Sequence, residues 1–154
     1  MPKVICAWKT VFLFAVIAIS CAGCASKDDV SPVEMEKRAF EDLRSEIRDV
    51  MDDPAREGEA LALVDSLEDD LGNLREKIST RRQRVRELNA DYDTTRADFE
   101  SFFNQVDKEI KSNKRQVSEK QRALFAVTTP NERSTISKVH TKAMAAAIRS
   151  IQAI

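Results

Sequence analysis

The sequence predicts an all-α fold, with long antiparallel helices arranged as a coiled-coil-like helical hairpin or an elongated bundle. Three observations carry this expectation. Apolar residues recur at spacings of three and four through most of the chain after Ser31, the period of one helix face. Glycine and proline, the residues that interrupt helices, number only 3 and 4 in 154 residues. Ser31-Pro32-Val33-Glu34 and Thr129-Pro130-Asn131-Glu132 each place a capping hydroxyl, a first-turn proline and a glutamate in the order that starts a helix. No segment alternates apolar and polar residues with the period of two that marks a strand.

The first segment is not part of that body. Lys3 and Lys9 precede an apolar run, Val11-Phe12-Leu13-Phe14-Ala15-Val16-Ile17-Ala18-Ile19, which closes in Ser20-Cys21-Ala22-Gly23-Cys24. A spanning helix needs roughly 20 apolar residues, and this run is shorter and ends in small residues that suit a peptidase site. All three cysteines, Cys6, Cys21 and Cys24, lie in or beside it, so no disulfide can staple the body. The stretch resembles the lipobox of bacterial lipoprotein precursors, in which small or aliphatic residues precede a cysteine that is diacylated and becomes the first residue. That resemblance implies a signal peptide over 1–23 and lipidation at Cys24, with Cys21 as the alternative. Ala22-Gly23 before the cleaved bond favour Cys24. In such lipoproteins an Asp after the cysteine marks retention in the inner membrane. Ala25-Ser26 stand there, so the resemblance implies the outer membrane, facing the periplasm, over the inner one. Two or more acyl chains anchor stably where one does not, and a short tether over 24–31 would hold the first helix near the headgroups.

A helix over about 32–52 follows from Phe40, Leu43, Ile47, Val50 and Met51 falling on one face. Pro54 disfavours helix in the residue before it, and Asp53 is placed to cap the next one. From Pro54 to Val127 apolar residues recur at 60, 64, 67, 71, 74, 78, 85, 88, 92, 99, 102, 106, 110, 117 and 124, close to a heptad seam. Within it, Asn89-Ala90-Asp91-Tyr92-Asp93-Thr94-Thr95 is rich in capping and turn residues. The absence of Gly and Pro, and the phase kept by Leu88, Tyr92, Phe99 and Phe102, favour one continuous helix; a reversal near Ala90 is the alternative. The last helix, over 130–154, would bury Ile136, Val139, Ala143, Ala147, Ile151 and Ile154.

Charge divides the chain. From Cys24 to Glu76 there are 7 Lys and Arg against 17 Asp and Glu; from Lys77 to Ile154 there are 16 against 9. Antiparallel pairing centred on Ala90 would set Asp65-Glu68-Asp69-Asp70 against Lys108-Lys111-Lys114-Arg115. A hairpin does this within one chain. A continuous helix would require self-association or another helical envelope protein to cover its middle.

The residues that carry chemistry are sparse. The only histidine is His140, which reads as a packing residue on the last helix, and no second His or Cys in the body accompanies it toward a zinc site. The acidic run at 65–70 lacks the glycine and alternate-oxygen spacing of a calcium loop. No Gly-x-Ser-x-Gly elbow or phosphate-cradling glycine loop is present. Neither a catalytic residue nor a cofactor, metal or small-molecule substrate is expected. The chain is net acidic overall, which sets nucleic acid aside despite Arg81, Arg82, Arg84 and Arg86. With Phe99, Phe102 and Phe103, which read first as a core cluster, those arginines form the candidate interaction patch. The expected function is that of a lipid-anchored structural or protein-interaction module. The alternative is a periplasmic chaperone or stress-sensor-like protein, because Thr129, Pro130 and Arg133 weakly resemble a motif of small helical periplasmic chaperones.

Overall fold

A computed structural model describes residues 30–154. The expected signal segment and both lipidation candidates, Cys24 and Cys21, lie outside the described residues. Those described form four helices and no strand, as the sequence pattern predicts: α1 (Pro32–Val50), α2 (Pro54–Ala90), α3 (Arg96–Ala126) and α4 (Pro130–Gln152).

Each helix starts on a side-chain cap. Ser31 accepts from the Glu34 amide, and Asp53 accepts from Ala55 and Arg56. Thr95 and Thr129 form reciprocal capping boxes with Asp98 and Glu132. Such caps satisfy amide groups that have no partner inside the helix, each worth about 1 kcal/mol.

The continuous helix favoured by the heptad phase does not form. The chain reverses over Asp91–Thr95, so α2 and α3 are two arms of a hairpin. Local hydrogen bonding explains why. The Asp91 amide closes α2 on Glu87 O, the Asp93 amide donates to Asp91 Oδ1 at 3.0 Å, the Thr94 amide donates to Asp91 O, and Thr95 opens α3. These side chains offer the backbone an alternative to continued helix. No residue of the turn adopts a positive φ, so it needs no glycine. Tyr92, counted as a seam residue above, is fully exposed at the tip.

The register also differs from one centred on Ala90. Lys120 meets Asp70 at 2.5 Å, Lys77 meets Asn113, and Arg81 meets Glu109 at 2.6 Å. Asp65 and Glu68 are taken by Arg44 of α1, so the basic stretch 108–115 does not face them. The five residues between α2 and α3 carry the reversal past Ala90 and set this offset.

The core joins all four helices at one end of the hairpin. Phe40, Leu43, Ile47 and Met51 of α1 pack with Ala60, Val64, Leu67 and Leu71 of α2, Leu124 of α3, and Ile136, Ala143 and Ala147 of α4. Full burial of each larger side chain stabilises by about 2 kcal/mol. Val139 and Ile151, expected in this core, are half-buried against it, and Ile154 is exposed because α4 ends at Gln152. α1 packs most extensively on α4 and also lies along α2. Arg56 of α2 meets Glu132 at the start of α4, and Arg75 meets Ser150 near its end, so α2 and α4 run parallel. Glu36, near the start of α1, reaches the same Arg75, so α1 runs opposite to both. α1 thus begins, and α4 ends, about a turn beyond the level of Arg75. Past that shoulder α2 and α3 continue alone for about 18 Å.

Candidate functional site

The lone stretch of hairpin holds the candidate patch. Two heptad rows run into it from the core. On α2 the row is Val64, Leu71, Ile78, Val85; on α3 it is Leu124, Val117, Ile110, Phe103. Val64 and Leu71 are buried and Ile78 and Val85 half-buried, while on α3 Leu124 is 2 % exposed, Ile110 50 % and Phe103 54 %. Exposure rises where α1 and α4 stop, because the rows keep the face that those helices cover below. The result is an open groove of 390 Å³ lined by Ile78, Val85, Phe102, Phe103 and Val106, with Arg81, Arg82 and Arg86 along α2.

The phenylalanines, expected first as a core cluster, are only partly enclosed. Phe99 and Phe102 are half-buried, and Phe103 stands between them, 6.3 Å from Phe99 in a stacked pair and 5.4 Å from Phe102 edge to face. Such pairs add about 1 kcal/mol each beyond burial and hold the rings as one unit.

The four arginines separate into two sets. Arg81 spans the seam and donates to Glu109 Oε2, and this guanidinium holds the Glu109 carboxyl below its ordinary pKa. Arg84 turns to the other side of the seam and donates to Glu87 Oε2 at 3.1 Å. That side has its own hollow of 680 Å³, lined by Thr80, Arg84, Glu87 and Gln105 together with Phe102 and Val106. Arg82 and Arg86 are exposed beside the apolar groove and make no ion pair or side-chain hydrogen bond among the described residues. Arg82 lies one heptad beyond Arg75, which on the same edge of α2 is paired with Glu36 of α1.

The Glu36 site was not visible in the sequence. Its carboxylate is buried, and its Oε2 accepts from Arg75 Nη1 and from the Ser150 hydroxyl, while Arg75 also donates to Ser150 Oγ at 3.0 Å. Three helices meet there. Glu36 Oε1 is buried without a partner. Its charge reads as that of a surface residue; the one signal for it was position, since it falls one turn before Phe40 and one heptad before Leu43 on the apolar face.

His140 is buried, edge-on to Phe125 at 5.4 Å, with Nε2 unpartnered, and burial pushes its pKa below the usual value. The Thr128–Arg133 phrase is engaged in the α3–α4 connection. Arg133 donates to Phe125 O and Thr128 O, and Glu132 accepts from Arg56 and from the Thr129 amide. Among the described residues no group of three or more His, Cys, Asp or Glu could hold a metal ion, and no helix is long and apolar enough to cross a membrane. No family profile, curated protein or solved structure matches this chain.

Proposed function

We propose that this chain is a lipid-anchored helical protein of a bacterial cell envelope, acting as a structural or protein-interaction module without catalysis of its own. The observation that carries the interaction part is the apolar face of the α2–α3 hairpin left uncovered beyond α1 and α4, with Phe103 and Ile110 half-exposed. Contiguous apolar surface rimmed by charge is the usual mark of a protein contact. The anchor part rests on the lipobox-like Ala22-Gly23-Cys24, and the proposed outer-membrane location, facing the periplasm, on Ala25-Ser26 in place of an Asp after the cysteine.

Metabolic labelling with an alkyne fatty acid tests the anchor. Cys24→Ser is expected to abolish labelling and release the protein from the membrane fraction, and Cys21→Ser to leave both unchanged. Labelling that survives Cys24→Ser and is lost in Cys21→Ser moves the lipid to Cys21; labelling in neither wild type nor variants removes the anchor. The open groove also favours the chaperone reading. Suppression of aggregation of an unfolded client by the purified protein, lost in Phe103→Ser, would place that activity above scaffolding.

A further inference from the structure

Within the proposed interaction role, and resting on it, we infer that the hairpin groove receives one amphipathic helix of a partner protein that carries carboxylates along the edge it turns to α2. The molecule itself supplies the template for such an occupant. In the lower half, α1 lies along this same face of α2, inserting Phe40, Leu43 and Ile47 into the core and meeting the α2 edge with Glu36 on Arg75. α1 begins at Pro32, just past Arg75, and the face continues without it. The apolar rows persist at Ile78, Val85, Phe103 and Ile110, and the basic edge persists at Arg82 and Arg86, which have no partner among the described residues. A helix laid there would extend the layer formed by α1 and α4, with its apolar stripe in the groove and its acids on the two free guanidiniums. Helix-in-groove recognition has this form.

Charge on the other arm narrows the occupant further. On α3 the carboxylates near the groove are neutralised within their own helix, Asp107 by Lys111 and Glu100 by Arg96. Of the residues that line the groove, the unpaired charges are Arg82 and Arg86 on the α2 edge, which fixes the side of the incoming helix that must be acidic. A second copy of this chain fits poorly. Antiparallel face-to-face pairing about a two-fold axis lays α2 on α2 and brings Arg82 and Arg86 against their own equivalents. Parallel pairing drives α1 and α4 of both copies into the same space. An anionic lipid surface is disfavoured as well, since the end of the hairpin presents Asp91, Asp93 and Asp98.

The test uses the full-length chain in detergent micelles and two synthetic helical peptides with the same leucine stripe, one flanked by glutamates and one by lysines. Binding is read by fluorescence anisotropy. The glutamate peptide is expected to bind at least about tenfold more tightly than the lysine peptide, and Arg82→Glu with Arg86→Glu to reverse that order. Phe103→Ser should weaken both. Circular dichroism of the variants shows that the fold is retained, because these positions lie outside the core. Equal affinity for the two peptides, no binding of either, or a preference untouched by the charge reversal overturns the inference. So does a stable dimer by analytical ultracentrifugation that Phe103→Ser dissociates, or binding to phosphatidylglycerol vesicles that Arg82→Glu abolishes. Loss of fatty-acid labelling would defeat the anchor reading and leave these peptide measurements as they stand.

Discussion

Glu36 is the residue on which most depends for its size. It is a buried carboxylate held by one guanidinium and one hydroxyl, and removing a single partner leaves an uncompensated charge. Arg75→Met is therefore expected to cost about 3 kcal/mol, read by urea denaturation, and the double variant Glu36→Leu/Arg75→Met to recover most of that loss. Two other residues make stability depend on pH. The Arg56 guanidinium and the Thr129 amide hold Glu132 down to about 2 from an ordinary 4.5, so the unfolded chain takes up this proton first. The stability it provides is complete above pH 4.5 and is lost as pH falls toward 2; Glu132→Gln should flatten that part of the melting-temperature profile. His140 acts in the same direction at higher pH, because burial lowers its pKa below 6.5 and folding then disfavours its protonation. Stability falls as pH drops below that value, and His140→Leu should remove this component. The sequence marked His140 as a packing residue, and its buried place beside Phe125 agrees. It gave no sign of the partners of Glu36, because Arg75 and Ser150 become neighbours only once three helices have packed.

At the level of the helices, starts were far more legible than connections. The caps at Ser31, Asp53 and Thr129 follow from short residue patterns, and the helices begin there. The reversal at Asp91–Thr95 was harder to read because two signals disagreed. Apolar phase continued through Leu88, Tyr92 and Phe99, while Asp91, Asp93, Thr94 and Thr95 offered local hydrogen bonds that end one helix and start another. The local bonds prevailed, and Tyr92 gave up its place in the seam. Replacing Asp91 to Thr95 with alanine and glutamate is expected to fuse α2 and α3 into one long helix, which must then find a partner for its uncovered middle. Sedimentation equilibrium should show the wild type unaffected by concentration in this respect and the variant as a dimer. Thr95→Ala alone should cost about 1 kcal/mol through the lost cap, without changing the association state.

The helical body over 31–154 is graded along the hairpin, from a four-helix base to a two-helix end. The base accounts for the buried core, so Leu67→Ala is expected to cost about 3 kcal/mol in denaturant unfolding, against less than about 1 for Val85→Ala. Hydrogen exchange should follow the same order, with amides of residues 60–71 protected most and those of 85–102 exchanging sooner. The candidate patch was partly readable in advance, since Arg81, Arg82, Arg84 and Arg86 stand out as a cluster and three phenylalanines lie nearby. Which arginines are free was readable only in part. Arg84 has Glu87 three residues on in its own helix, a pair that spacing alone offers, whereas Arg81 is claimed by Glu109 of α3, which only the packed hairpin register brings across.

The pairing of α1 with α4 joins the first and last of the described helices, and this has a consequence for the order of events during synthesis. The hairpin contacts span short separations and can form early, whereas α1 must wait for α4 before its apolar face is covered, a closure of high sequence separation. A chain stopped after Thr128 should keep helical signal from α2 and α3 while leaving Phe40 and Ile47 accessible to protease. A core whose last piece arrives last thus postpones full compaction until α4 has been made.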